Sequence, residues 1–452
     1  MKYIVILADG MADWPCPELD GKTPMTVADK PHINAMAGGG LTGLCQTVPP
    51  EFAPGSDVAN LSIMGYAPQE FYRGRSSLEA LSAGVPMAEG DLSLRANLVQ
   101  LSDEPDFLQR TMVDYSGGDI ATEDARELIA AVAAELDTDL VRLFPGVSYR
   151  HILLRRGEAA DTTTYTPPHD MMGEKVADRL PQGAGAEEML EFMRRASEIL
   201  ARQPYNLAKA AKGEGIANAL WLWGPGTKPL LPNFQQRWGK KGGVLSAVDL
   251  LRGIGIAAGM DILHLSTATG RPETDFRGKG EVAAAYLQGG ADFVYVHVEA
   301  PDESGHQGLL DKKISAIERI DQETIPPILD ALAAMGEDYR MLVLPDHFTP
   351  LEIRTHARDA VPFVLFDSRH HSLANPVVHD EVRAAAVSGG KPAPGGGLAA
   401  PPGNPEEGAG IEIHHGLHLP RHPHPSVRRH GLFAAAGGGA GPAEGISGYC
   451  QK

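Results

Sequence analysis

Three short apolar runs in this chain stop on residues that carry chemistry. Residues 3–8 run into Asp9, 293–298 into Glu299 and then Asp302, and 341–344 into Pro345, Asp346 and His347. With a fourth run, 219–223, they have the length and the β-branched or aromatic content of buried parallel strands. Helix-like segments lie between them, among them 187–202, 245–258 and 312–332. This alternation predicts an α/β domain in which helices flank a mostly parallel sheet. Ligands in such sheets gather beyond the carboxyl ends of the strands, so one edge is expected to collect these carboxylates and imidazoles.

Hard divalent cations take carboxylate oxygens and neutral imidazole nitrogens, and a bridged pair needs two such sets roughly 4 Å apart. Asp302 and His306 stand four residues apart, so one helical turn points both at a single ion. Asp346 and His347 are adjacent at a strand end, and His356 follows nearby. A second feature is Gly55-Ser56-Asp57 at the head of a helical run. Either Ser56 or Asp57 caps that helix, or Ser56 is a nucleophile whose hydroxyl pKa a metal lowers. The residues alone leave these two readings open.

Residues 86–179 follow a less regular pattern, with strands expected at 97–101 and 150–154. A helix is expected over 122–136, capped by Thr122 with Glu123 and Asp124 in its first turn. We read this region as an inserted, smaller α+β domain, with 181–185 as a connector. The discontinuous core then comprises 1–85 and 180–388. From about Gly389 no period of 2 or 3.6 persists, and glycine, alanine, proline, histidine and arginine dominate. Nine of the 17 histidines fall after residue 367. Residues 389–452 are therefore expected to be disordered, or the aberrant product of a frameshifted GC-rich gene.

The formal net charge of -18 argues against a nucleic-acid backbone as partner, while a local pocket can still hold a small anion. The three cysteines form no Cys-x-x-Cys pattern, which suits a reducing compartment, the cytoplasm. The N-terminal apolar run meets Asp9 too soon for a signal peptide. No window approaches the roughly 18 apolar residues of a membrane span.

Asp9-Gly10-Met11, PGSDVANLSIMGY at 54–66, GRSSLEAL at 74–81, YSGG with ATEDA, PGVSYRH at 145–151, HVEAPDESGH at 297–306 and LPDHFTPLEIRTHARDAVPF at 344–363 carry a resemblance. Over residues 1–388 the chain resembles the archaeal-type cofactor-independent phosphoglycerate mutases of the alkaline phosphatase superfamily. The resemblance implies an alkaline-phosphatase-like α/β core with an inserted cap, two divalent metals and a phosphoserine intermediate, without 2,3-bisphosphoglycerate as cofactor. It implies Ser56 as nucleophile. Asp9, Ser56, Asp346 and His347 would hold one metal, and Asp302, His306 and His356 the other, with Mn2+ placed before Zn2+, Co2+ or Mg2+.

Arg75, Arg150, His151, His169, Arg277 and Lys279 are expected to grip a small phosphorylated substrate, and Asp170 to shuttle a proton. Three rivals remain open: a homoserine-kinase-like phosphotransferase, a metal-dependent phosphatase on the same fold, and a non-catalytic metal-binding protein. The oligomeric state is left open.

Overall fold

A computed structural model of the chain describes residues 1–370 and 377–388, so the expected aberrant end at 389–452 lies outside the described residues. The strands in chain order are β1 (Lys2–Ala8), β2 (Leu41–Cys45), β3 (Leu92–Leu101), β4 (Met112–Asp114), β5 (Val141–Val147) and β6 (Arg150–Arg155). They continue with β7 (Ala219–Thr227), β8 (Gly242–Leu245), β9 (Asp261–Leu263), β10 (Phe293–Val298), β11 (Tyr339–Leu344) and β12 (Val361–Asp367). Seven of them form one sheet in the order β2-β12-β11-β1-β10-β8-β9. It is the mostly parallel α/β sheet expected, with β12 as the antiparallel exception against both β11 and β2.

Register explains why the chemistry meets at one edge. β1 lies between β10 and β11, pairing Leu7 with His297 on one side and with Leu344 on the other. All three strands therefore end at the same level. Asp9, Glu299 and Pro345 are the next residues out, where the buried apolar runs of these short strands stop.

A second sheet runs β4-β3-β6-β5, with β7 also paired to β3, and its pairings are antiparallel. It has its own core, in which Leu94, Leu98 and Trp221 pack against Leu128 and Ile129 of the helix Thr122–Leu136 and Met189 and Met193 of the helix Ala186–Ala201. The run at 219–223 thus belongs to this antiparallel sheet and not to the parallel one. Its continuous apolar content reported burial on both faces and carried no information about strand direction. The expected boundary at residue 180 cuts through this unit, because the helix Ala186–Ala201 and β7 complete its core. Thr122 does not cap its helix either: Ala121 is the N-cap, and the Thr122 hydroxyl accepts the Ser148 N–H at 3.1 Å. None of the described helices is long and apolar enough to cross a membrane.

The helices Arg75–Ser82 and Asp249–Ala257 press together where Gly253 leaves room. A Cβ there would stand 2.0 Å from the carbonyl oxygen of Leu78. In an open helix, Gly→Ala gains about 1 kcal/mol. Here the sign should reverse: Gly253→Ala is expected to destabilise the protein by about 2 kcal/mol through overpacking. Thermal or urea unfolding checks this, and a stabilised variant would show that the two helices part freely.

Candidate active site

The helix Ser56–Ile63 begins at Ser56 itself, with Gly55 as N-cap and no side-chain capping bond. The Ser56 hydroxyl is thus not spent on capping. Its Oγ lies 3.1 Å from Nε2 of His347, at a helix N-terminus that favours anions. Beyond β10, the helix Ala300–Gln307 opens with Pro301 and stops at Gly308, in the left-handed region at φ 70°. This helix of about two turns faces Asp302 and His306 toward the same point, with His306 Nε2 3.3 Å from Asp302 Oδ2.

The structure brings all seven expected ligand residues together in two adjoining groups. In one, His347 Nε2 lies 3.7 Å from Asp9 Oδ1 and 3.4 Å from Asp346 Oδ2, with Ser56 beside it. In the other, Asp302 Oδ1 lies 3.6 Å from His356 Nε2, whose ring stacks on that of His347 at 3.9 Å between centroids. The ligand atoms of Asp9, Asp346 and His347, and those of Asp302, His347 and His356, each fall within 4.8 Å of one another.

Two observations show that these groups suit cations. Asp9 Oδ1 is buried and has no hydrogen-bond partner. The second observation concerns His306 and His356, whose Nδ1 atoms lie 2.9 and 3.4 Å from the carbonyl oxygens of Arg354 and Pro54. Carbonyls only accept, so both Nδ1 atoms carry protons, and the two rings face each other Nε2 to Nε2 at 3.0 Å. Such a pair repels unless positive charge lies between. Accordingly the hydrogen bond to Asp302 raises His306 to about 9. Burial first, and then the charges of Asp346 and Asp302, push Asp9 well above the usual carboxylate range.

A supporting layer fixes these ligands. His297 Nε2 lies 2.8 Å from Asp9 Oδ2, and its Nδ1 2.9 Å from Ser246 Oγ. Asn60 donates to Asp346 Oδ2 at 3.0 Å and itself accepts the Tyr295 hydroxyl at 2.5 Å. Thr349 donates to Asp302 Oδ1 at 2.5 Å. Gly10, at φ +58°, turns the chain away from Asp9 and donates to Asp346 Oδ1 at 3.2 Å; a Cβ there would come within 2.7 Å of the Asp302 Cα. The sequence reading missed His297, Asn60, Tyr295 and Thr349. A histidine inside the apolar run of β10 was the one legible signal among them.

A cleft of about 340 Å3 is lined from both units, by Arg75, Glu79 and, from the helix that carries Asp302, Glu299 and Glu303 on one side, and by Arg150 and His151 on the other. His151 accepts the Gly146 N–H at Nδ1, which leaves a buried Nε2–H without a partner. Burial lowers this imidazole to about 3, so it is a neutral donor. Lys279 is fully buried beneath, donating to the His297 carbonyl at 2.9 Å, and burial lowers it to about 8. Three expected substrate or proton residues are elsewhere. Arg277 is exposed and paired with Glu281 one helical turn on. His169 sits edge-on against Trp223, and Asp170 is 61% exposed beside it, so neither lines the cleft.

Fold and site together define a metal-dependent α/β enzyme. The family model of 2,3-bisphosphoglycerate-independent phosphoglycerate mutase matches residues 37–206. A probable 2,3-bisphosphoglycerate-independent phosphoglycerate mutase of Geobacter sulfurreducens is 44% identical over 387 residues, covering 86% of this chain and 96% of its own. The mutase of Methanosarcina acetivorans is 43% identical over 366 residues, 81% of this chain and 90% of its own. Among solved structures, the cofactor-independent phosphoglycerate mutase from Thermoplasma acidophilum superposes with a TM-score of 0.58 at 25% identity, covering 88% of this chain and 96% of its own. The chain belongs to the cofactor-independent phosphoglycerate mutases.

Removing a partner that orients a metal ligand typically costs 10- to 100-fold in affinity. His297→Ala should therefore weaken Mn2+ binding by about that factor, read by competition with a chelator. Unchanged affinity would show that Asp9 holds its place without His297.

Proposed function

We propose that this enzyme moves the phosphoryl group between the 3- and 2-oxygens of glycerate by way of a phosphoserine on Ser56. The observation that carries the reading is the uncapped Ser56 hydroxyl, 3.1 Å from His347 at a helix N-terminus and beside two carboxylate–imidazole groups. Asp9, Ser56, Asp346 and His347 would hold one divalent cation, and Asp302, His306 and His356 a second, with Mn2+ placed first. Bound there, the cations neutralise phosphoryl oxygens and lower the pKa of a serine hydroxyl.

The chain's own residues supply the rest. Ser56 attacks phosphorus in line, which requires positioning more than covalent machinery. Arg75 and Arg150 grip phosphate or carboxylate oxygens from opposite walls of the cleft, and His151 adds a neutral N–H. Buried Lys279 adds positive charge under the site. The five-stranded unit, residues 92–227, acts as a cap that keeps water from the phosphoserine while glycerate turns over. Two free, buried thiols, Cys16 and Cys45, suit the reducing compartment that goes with this reading, the cytoplasm.

A coupled assay of 3-phosphoglycerate to 2-phosphoglycerate tests the proposal. Chelation should abolish turnover and Mn2+ restore it, and Ser56→Ala should lower kcat by about 10^4-fold. Turnover that survives Ser56→Ala would overturn the phosphoserine route. Parallel arms measure phosphate release and phosphorylation of homoserine by ATP; rates above the mutase rate in either arm would reassign the substrate.

A further inference from the structure

Arg75 stands where a helix least favours a cation. It is the first residue of the helix Arg75–Ser82, and that end carries positive partial charge. Its partner Glu79, 3.2 Å away, lies one turn further on, and basic before acidic is the weaker order for such a pair. Helix stability therefore does not account for the pair. Nor is it an isolated surface pair, because Arg95 of β3 brings its Nε to 2.8 Å from the second Glu79 oxygen.

Exposure rises along this row of three side chains. Arg95 is 9% exposed and Glu79 16%, while Arg75 is 42% exposed and lines the cleft. Arg95 is held from its other side by the ring of Trp223 on β7, whose centroid lies 4.1 Å from the guanidinium carbon, and the Trp223 N–H donates to Asn97 Oδ1 at 3.0 Å. The row thus runs from a guanidinium fixed inside the second unit, through a carboxylate on the first, to a guanidinium at the cleft wall. One turn before Glu79, the Ser76 hydroxyl donates to the Ser93 carbonyl at 3.0 Å, so the helix and β3 meet at two successive points. Burial opposes ionisation of Glu79, but the charges of Arg95 and then Arg75 hold its carboxyl below the usual range, so it accepts and does not donate. Each arginine has its own oxygen, Oε1 for Arg75 and Oε2 for Arg95.

We infer that Glu79 is a positioning residue for the substrate: it aims the Arg75 guanidinium into the cleft and, through Arg95, ties that aim to the seating of the second unit. The inference rests on the reading above that Arg75 grips phosphate or carboxylate oxygens. A long side chain at a cleft wall loses rotamer freedom when it closes on a ligand, and a guanidinium already held by Glu79 has less to lose. Two roles for Glu79 predict opposite signs. As a counter-charge alone it weakens the pull of the two arginines on an anion, so its removal tightens binding. As a positioning residue it keeps two like charges at a set separation, so its removal lets Arg75 swing away and loosens binding.

The test uses the full chain loaded with Mn2+ and reads turnover of 3-phosphoglycerate. Glu79→Gln should raise KM about tenfold with kcat within about threefold of wild type. Glu79→Asp, which keeps the charge but draws the carboxylate back by one methylene from the two arginines, should raise KM in the same direction. Arg75→Ala should raise KM by about 30-fold, and adding it to Glu79→Gln should raise KM no more than about threefold further, because the second change removes a group already unaimed. A Glu79→Gln enzyme with an unchanged or lowered KM overturns the inference. So do two effects on KM that multiply in full, the result of a packing role that lowers the melting temperature and leaves Arg75 independent. If Glu79→Gln does not fold, Glu79→Asp takes its place in the same comparison. Arg75→Ala separates the failures: a wild-type KM in that variant sinks the grip of Arg75, whereas a raised KM there beside an unaffected Glu79→Gln sinks only the role of Glu79.

Discussion

Everything at the active edge answers to one electrostatic constraint: Asp9, Asp302 and Asp346 are drawn out of water side by side. At an effective dielectric constant of 20, two like charges at 4 Å repel by about 4 kcal/mol. A whole domain is stable by about 5–15 kcal/mol, so several such pairs approach the entire margin. The structure meets this cost in layers. His306, His347 and His356 interleave with the carboxylates, and Asn60, Thr349 and His297 hold the carboxylate oxygens in fixed directions. The buried strands β1 and β10, and β11 beyond its half-buried Tyr339, then hold the framework against what repulsion remains.

The same constraint explains how much the sequence disclosed. The candidate ligands Asp9, Asp302, Asp346 and His347 were legible because each follows a short apolar run, and a buried strand must end where its polar residues begin. Their partners were less legible. Asn60 and Thr349 are ordinary residues on a helix and in a loop, and only the tertiary fold gives them carboxylates to hold. His297 sits within a strand, where a lone histidine reads as core. Arg277 and Lys279 look equivalent in sequence, yet residues two apart on a helix point nearly opposite ways, so one is solvated and the other buried. The run at 219–223 was read as parallel because burial alone does not encode strand direction; its partner β3 lies more than a hundred residues upstream.

The candidate metal groups and the facing wall of the cleft come from different units. The seven ligand-type residues all belong to the unit built on the seven-stranded sheet, whereas the cleft draws Arg150 and His151 from the other. A fold of this kind can keep its reacting centre while the facing wall changes, which is why the centre defines a reaction class and the wall a substrate.

How the second unit is attached has a mechanical consequence. The strands by which the chain leaves and rejoins the core are paired with each other, Leu92 opposite Thr227 and Ser93 opposite Gly226. At the foot of this ribbon Thr227 donates to the Arg73 carbonyl at 2.8 Å, and a Cβ on Gly74 would meet the Pro225 carbonyl at 2.1 Å. A single peptide linker is a swivel, but a hydrogen-bonded ribbon clamped at its base resists rotation about its own axis. The ribbon thus fixes the direction in which the second unit presents Arg150 and His151 to the cleft that both units line.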